Sequence, residues 1–276
     1  MSLITVLGAS GFIGSALVKR LEETHVKYFA PDKGEMLLNE SLGRVIYCIG
    51  LTTDFRSNPF ETVEAHVCQL LRVLQDYDFD SLTYLSSARV YQKREAPARE
   101  EDAVQVSSLQ ADHLYNISKI MGESLSLASG RRVHAVRLSN VYGEDFTSRN
   151  FLSTIISEAI SNGRVTVHNA PEAAKDYVSI RDVVDTLLKI AAGAKHNIYN
   201  LASGRNVSNR ALLQKISQLT GCQIAFDPTT ARISYPSINI DRIRSEFEFR
   251  PRYILDDLGG LINSYRKHLA EQGGVN

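Results

Sequence analysis

The chain has 276 residues, with 31 basic and 31 acidic side chains and a formal net charge of zero. That length holds one large domain or one domain with an appended lobe, and balanced charge excludes a global field that would recruit nucleic acid or an anionic membrane. No apolar run reaches the roughly 18 residues of a bilayer span, and no basic-then-apolar leader precedes the first strand. A cytoplasmic protein is expected, with Cys48, Cys68 and Cys222 as thiols of a reducing compartment. None of the seven histidines has metal-ligand spacing, so no metal site is expected.

The chain opens with a buried-strand pattern, Ile4–Leu7, which runs into Gly8-Ala9-Ser10-Gly11-Phe12-Ile13-Gly14 and then an amphipathic helix. Such a turn gives its glycines separate tasks: a tight bend, close backbone approach to a pyrophosphate, and packing of helix on strand. The helix N-terminus adds unpaired N–H groups and a positive dipole end. Gly8, Ser10, Gly11, Phe12, Ile13 and Gly14 are therefore candidate dinucleotide-binding residues. A second strand is predicted over Val26–Ala30. Asp32, about 18 residues past Gly14, follows it where a carboxylate reads both ribose hydroxyls and repels a 2′-phosphate, favouring NAD over NADP. Pro31-Asp32-Lys33-Gly34 is equally good turn chemistry.

Further strands are predicted at Arg44–Ile49, Ser81–Ser86, Val133–Leu138 and Ile198–Leu201, and helices at Gly11–Glu23, Pro59–Asp76, Ser108–Ser129 and Asn150–Asn162. This alternation predicts an α/β fold, a Rossmann-type doubly wound parallel sheet. The 145–175 segment and the chain after Ser203 fit the alternation less well. The expected organisation is a dinucleotide-binding domain over 1–144, rejoined by about 176–203. A smaller substrate lobe, 145–175 and 204–276, would lie over the carboxyl ends of the strands. Within this frame, Tyr115 and Lys119 stand one helical turn apart on one face, and a strand ending in Ser86-Ser87 precedes them.

Glycine turn, strand-end serine and Tyr-x-x-x-Lys, in that order, resemble the short-chain dehydrogenase/reductase superfamily. In detail the chain resembles its extended branch, the NAD-dependent epimerase/dehydratases acting on nucleotide sugars. Tyr84-Leu85-Ser86-Ser87-Ala88-Arg89-Val90-Tyr91 is similar to that branch's strand-end motif, with Ser87 as the reactive hydroxyl. Arg137-Leu138-Ser139-Asn140-Val141-Tyr142-Gly143 is similar to its Arg-x-x-Asn-Val-Tyr-Gly segment, which carries Asn140 to the substrate diphosphate. Lys175-Asp176-Tyr177-Val178 and Tyr199-Asn200-Leu201-Ala202-Ser203-Gly204 match two further segments. The resemblance implies Tyr115 as proton-transfer residue, Lys119 and a cationic nicotinamide as the charges that lower its pKa, and Ser87 as the group that holds the carbinol oxygen. It also implies Arg232 as a diphosphate clamp, with a solvent-exposed arginine as the other reading, and a homodimer through the helices around Pro59–Asp76 and Ser108–Ser129.

The pattern departs in places. Only eleven residues, Lys33 to Gly43, separate Asp32 from the next strand, so the sheet is expected to lack one outer strand. His66 replaces an asparagine beside the cofactor, or is a helix-surface histidine. Lys175 replaces the arginine that meets the diphosphate, keeping charge without the planar fork. Three functions remain open at this point. They are a nucleotide-sugar 4-epimerase holding NAD tightly, a 4-ketoreductase with exchangeable NAD(P)H, and a non-catalytic dinucleotide-binding sensor or scaffold. A 4,6-dehydratase is disfavoured because Ala88-Arg89 stand where that subgroup carries an acid pair.

Overall fold

A computed structural model of the chain describes residues 3–34, 41–51, 55–92, 94, 96–146, 148–227 and 235–273. In chain order the first half comprises β1 (Ile4–Leu7), α1 (Phe12–Glu23), β2 (Tyr28–Phe29), β3 (Arg44–Tyr47), α2 (Pro59–Val63), α3 (Gln69–Asp76), β4 (Ser81–Ser87), α4 (His113–Ala128) and β5 (Val133–Leu138). There follow β6 (Asn140–Tyr142), α5 (Phe151–Ser161), β7 (Arg164–Val167), β8 (Ala174–Ser179), α6 (Ile180–Gly193) and β9 (Ile198–Leu201). The chain ends with β10 (Asn206–Ser208), α7 (Asn209–Thr220), β11 (Gln223–Phe226), α8 (Asp241–Phe247) and α9 (Ile254–Gly273).

Among the described residues, six strands form one parallel sheet in the order β2-β1-β3-β4-β5-β9. β4 and β5 are buried along their whole length apart from Ser87, as central strands of a parallel sheet covered on both faces are. The order reverses between β1 and β3, and an open α/β sheet binds ligands at the carboxyl ends on either side of such a reversal. β2 lies at the sheet edge and is shorter than its predicted span; no described strand lies beyond it. Among the described residues no helix is long and apolar enough to cross a membrane.

One face of the sheet is covered by α1 and α6, through Leu17 and Leu21 against Val183, Leu187 and Ile190. The other is covered by α3 and α4, through Leu70, Val73, Leu74 and the half-buried Leu125. α6 carries the helical spacing of Val183, Val184, Leu187 and Ile190, yet it was absent from the predicted elements. A third apolar cluster joins Tyr142, Leu152, Ile156, Val165, Leu212, Ile216, Leu258 and Tyr265. It gathers beside the two small sheets, β10-β8-β6 and β11-β7.

Two helices differ from their predicted form. The segment before α4 folds back instead of starting a helix at Ser108, because the Ser107 N–H donates to His113 Nδ1 at 2.8 Å. The predicted helix over Pro59–Asp76 is continuous but contains a π-helical turn, Glu64–Cys68, between α2 and α3. Such turns insert one residue into the helical ladder and re-aim the side chains around it. Here the re-aimed side chain is His66.

Candidate active site

The glycine turn is built by backbone contacts that exclude larger residues. Gly8 adopts a φ of +86°, and a Cβ there would lie 2.8 Å from the Ile49 amide nitrogen at the end of β3. A Cβ on Gly14 would meet the Gly8 carbonyl oxygen at 2.2 Å, so only glycine lets α1 sit this close to the turn. Gly11 is the N-cap of α1 and provides no side-chain cap, leaving first-turn N–H groups for an anion. Ser10 and Gly11 are exposed. Phe12 and Ile13 turn their side chains elsewhere: Phe12 reaches toward Gly143 and Ile13 packs against the sheet-face cluster. They can meet a phosphate through backbone only. Asp32 is exposed and follows β2 by three residues.

At the carboxyl end of β4, Ser87 caps a 3-10 turn over Ala88–Tyr91, and its Oγ accepts from the Arg89 N–H at 3.2 Å. Tyr115 lies in the first turn of α4, where the Ser87 hydroxyl acts on its phenol. Burial pushes the Tyr115 phenol above its ordinary value, while the Ser87 hydroxyl and the Arg89 charge act downward. Lys119, one turn further along, is 4% exposed and donates to the Leu85 carbonyl at 2.9 Å. Its Nζ stands 5.9 Å from the Tyr115 ring centroid. Burial pushes the Lys119 ammonium down to about 7, with Glu123 and Cys48 opposing. Arg89 is a second cation at the phenol, with its guanidinium carbon 5.7 Å from the Tyr115 ring centroid.

Behind these residues lies a buried polar network that sequence reasoning missed. Arg137 on β5 grips Glu123 with three bonds of 2.6–3.2 Å, and Ser86 Oγ donates to the same carboxylate. Arg137 also donates to the Tyr91 hydroxyl at 2.6 Å, which in turn donates to Asn200. Glu123 is eight residues past Tyr115 on the same helix face, so its spacing was the available signal.

His66 is fully buried rather than on a helix surface. Its Nε2 accepts from the Leu51 N–H at 3.1 Å, which leaves Nδ1 to donate to Ser118 Oγ at 2.8 Å. Ser118 passes the chain on to the Tyr115 carbonyl at 2.9 Å. Burial, then the Lys119 charge, push the imidazole down to about 2, so it stays neutral. The ring stands edge-on to Tyr115, with centroids 5.3 Å apart.

On the substrate side, Asn140 is exposed and donates to the Asp176 carbonyl at 2.8 Å. Its neighbour in the fold, Lys175, has its ammonium 5.3 Å from the Phe151 ring and 5.9 Å from the Tyr235 ring. Burial, then Arg89, lower its pKa. Arg232 lies outside the described residues. Two concavities, of about 550 Å³ beside Arg205 and Arg252 and about 940 Å³ between α1, α6 and α9, contain none of Ser87, Tyr115 and Lys119.

A Rossmann-type sheet with a glycine turn at its reversal and a Ser–Tyr–Lys cluster on the adjacent strand end defines a dinucleotide-dependent oxidoreductase class. The sequence profile of the NAD dependent epimerase/dehydratase family matches residues 37–202, and the chain belongs to that family. It is 21% identical over 316 aligned positions to the UDP-glucose 4-epimerase of Lacticaseibacillus casei, covering 95% of each chain. It is 24% identical over 322 positions to the same-named enzyme of Streptococcus mutans, again covering 95% of each. Among solved structures, MoeE5 in complex with UDP-glucose and NAD is similar, with a TM-score of 0.82 at 23% identity over 96% of this chain and 99% of that one. The UDP-glucose 4-epimerase of Thermotoga maritima with UDP-glucose gives 0.81 at 18% identity over 97% and 99%.

Proposed function

We propose that this chain is an NAD-dependent nucleotide-sugar epimerase acting at a sugar carbinol, most simply C4. The observation that carries the reading is the buried Tyr115 phenol, flanked by Lys119 and Arg89 and acted on by the Ser87 hydroxyl at the carboxyl end of β4. The curated relatives named UDP-glucose 4-epimerase, aligned end to end, support the substrate class. The glycine cradle fits a dinucleotide, because the turn at Gly8 and the uncapped Gly11 leave backbone N–H groups free to meet phosphate. NAD, when bound, supplies the hydride acceptor and a cationic ring.

The chain's own residues then do the following. Tyr115 takes the proton from the carbinol oxygen as the C–H hydride departs and returns it when the hydride comes back to the other face. For this the phenol must ionise near neutrality, about 3 units below its ordinary value and worth roughly 4 kcal/mol. Arg89 and the Ser87 hydroxyl already act in that direction. Ser87 holds the carbinol oxygen in line with the phenol, and Lys119 and His66 fix the helix turn that carries it. Asn140 and Lys175 meet the diphosphate, and Arg232 completes that clamp. Asp32 reads the adenosine ribose.

The proposed division is a dinucleotide-binding domain, 1–144 with 176–203, and a substrate lobe, 145–175 with 204–276. The separate apolar cluster around Ile156, Leu212 and Leu258 supports the lobe. Ile238, Ile240 and Ile243, however, pack with the sheet-face cluster. A homodimer is proposed through α2, α3 and α4. Phe60, Leu109 and Met121, which are 85%, 94% and 53% exposed, lie on or beside those helices. Three free thiols suit a cytoplasmic setting. To test the assignment, purified protein is denatured and assayed for released NAD, and the native protein is incubated with UDP-glucose and UDP-galactose. Stoichiometric NAD and interconversion are expected. An empty protein that turns over a keto-sugar only with added NAD(P)H would make it the reductase.

A further inference from the structure

Arg89, beside the proposed reacting phenol, is a cation whose charge has little committed to it. Its guanidinium carbon lies 4.9 Å from the Phe55 ring centroid and 5.7 Å from the Tyr115 ring centroid. Its side chain is 22% exposed, and its single ion pair among the described residues is a 3.7 Å contact to Asp112. That carboxylate is already committed to Arg56, at 2.5 and 2.9 Å. Arg89 Nε is buried without a hydrogen-bond partner among the described residues. Its charge acts on Tyr115, Lys175 and Tyr235, and its contact with the Tyr115 ring puts it beside the phenol proposed to meet the carbinol. The hexose ring carries that carbinol.

A guanidinium presents a planar fork that matches a carboxylate through two parallel bonds. A neutral hexose closing over Arg89 would remove water from the cation and leave its fork unpaired. We infer that Arg89 selects a nucleotide sugar whose hexose carries a carboxylate, a hexuronate, over its neutral counterpart. The inference rests on the nucleotide-sugar reading above. Arg89 is a specificity residue here. It also tunes the phenol, because the charge that pairs with the sugar carboxylate also faces the Tyr115 ring.

The test compares UDP-glucuronate with UDP-glucose, in which the nucleotide and diphosphate are common and cancel from the ratio. With NAD-loaded protein, kcat/KM is measured for both sugars in the wild type, Arg89→Ala and Arg89→Lys, alongside calorimetric binding of each sugar. The wild type should favour UDP-glucuronate by on the order of 100-fold. Arg89→Ala should bring the two within about threefold, chiefly through the KM of the uronate, and Arg89→Lys should restore part of the preference. A wild type that prefers UDP-glucose overturns the inference. So does an Arg89→Ala variant in which the binding of both sugars weakens equally and the kcat/KM ratio keeps its wild-type value, since that assigns the cation to the diphosphate. If neither sugar turns over but the uronate binds more tightly in an Arg89-dependent manner, the epimerase reading fails and the carboxylate inference stands. If neither sugar binds, both fail.

Discussion

Replacing Glu123 by Gln tests whether the buried pair behind the reacting residues holds the site together. Glu123 and Arg137 are 4% and 6% exposed, and the carboxylate accepts three bonds from the guanidinium besides the Ser86 hydroxyl. The glutamine keeps the shape and an acceptor for Ser86 but leaves Arg137 as a buried cation. Its remaining partners are the Tyr91 hydroxyl at 2.6 Å and the Glu100 carbonyl at 3.3 Å. Removing one member of such a pair costs about 3–5 kcal/mol, most of it from the charge left behind. At about 2–4 °C per kcal/mol for a chain of this size, the thermal midpoint should fall by roughly 6–20 °C. Urea unfolding at pH 7, followed by circular dichroism, measures the loss, and the double replacement Glu123→Leu with Arg137→Met should recover most of it. Glu123 is also the leading group that opposes the downward push on Lys119, so in the Gln variant that ammonium should titrate below about 7. A Gln variant within about 1 kcal/mol of wild type would refute the reasoning, because the charge would then be hydrated and the network merely peripheral.

Tyr115→Phe should retain the fold and bound NAD while lowering turnover by on the order of a hundredfold or more; near-normal turnover would remove the phenol from proton transfer. His66 fixes the sign of an acid effect. Its folded pKa is depressed to about 2, against about 6.5 unfolded, so below pH 6.5 only the unfolded chain binds the proton and stability falls as pH falls. The slope approaches about 1.4 kcal/mol per pH unit; urea midpoints of wild type and His66→Gln between pH 7 and 5 should show a shallower decline in the variant, and parallel curves would contradict its burial as a neutral ring. Leu109→Glu combined with Met121→Lys places charge on the exposed apolar surface near α4. Light scattering should then report a monomer, whereas a wild type already monomeric at micromolar concentration would dispose of the proposed dimer.

The parallel sheet was legible because buried strands such as Ile4–Leu7 and Val133–Leu138 are short, locally apolar-rich segments, and their observed bounds coincide with the predicted ones. The edge was less so. β2 keeps two of its five predicted residues because pairing on one side alone leaves less ladder to hold it. Around β7, β8, β10 and β11, strands of three to six residues read as irregular chain. What makes them strands is pairing between segments such as Asn206–Ser208 and Ala174–Asp176, which no local pattern announces. The late start of α4 has a similar origin, since the Ser107 N–H finds His113 Nδ1 instead of continuing a helical ladder.

The site divides along the same line. Ser87, Tyr115 and Lys119 were readable because each sits at a strand end or on a helix face whose direction follows from the backbone. Glycines 8 and 14 were readable because their requirement is steric and local, down to the 2.2 Å that a Gly14 Cβ would leave to the Gly8 carbonyl. The packing around the two cations near Tyr115 was less readable. Lys119 is the nearest cation to Tyr115 in sequence, yet its ammonium is spent on the Leu85 carbonyl, and the guanidinium that faces the phenol arrives from the turn after β4. Helix spacing fixes which side chains share a face but leaves open which charge is desolvated beside which ring, since that depends on the elements packed across the cleft. The same reasoning explains His66: its place in the sequence suggested a cofactor neighbour or a surface residue. The π-helical turn instead carries it buried between the Leu51 amide and Ser118, so that it ties α4 to the segment after β3.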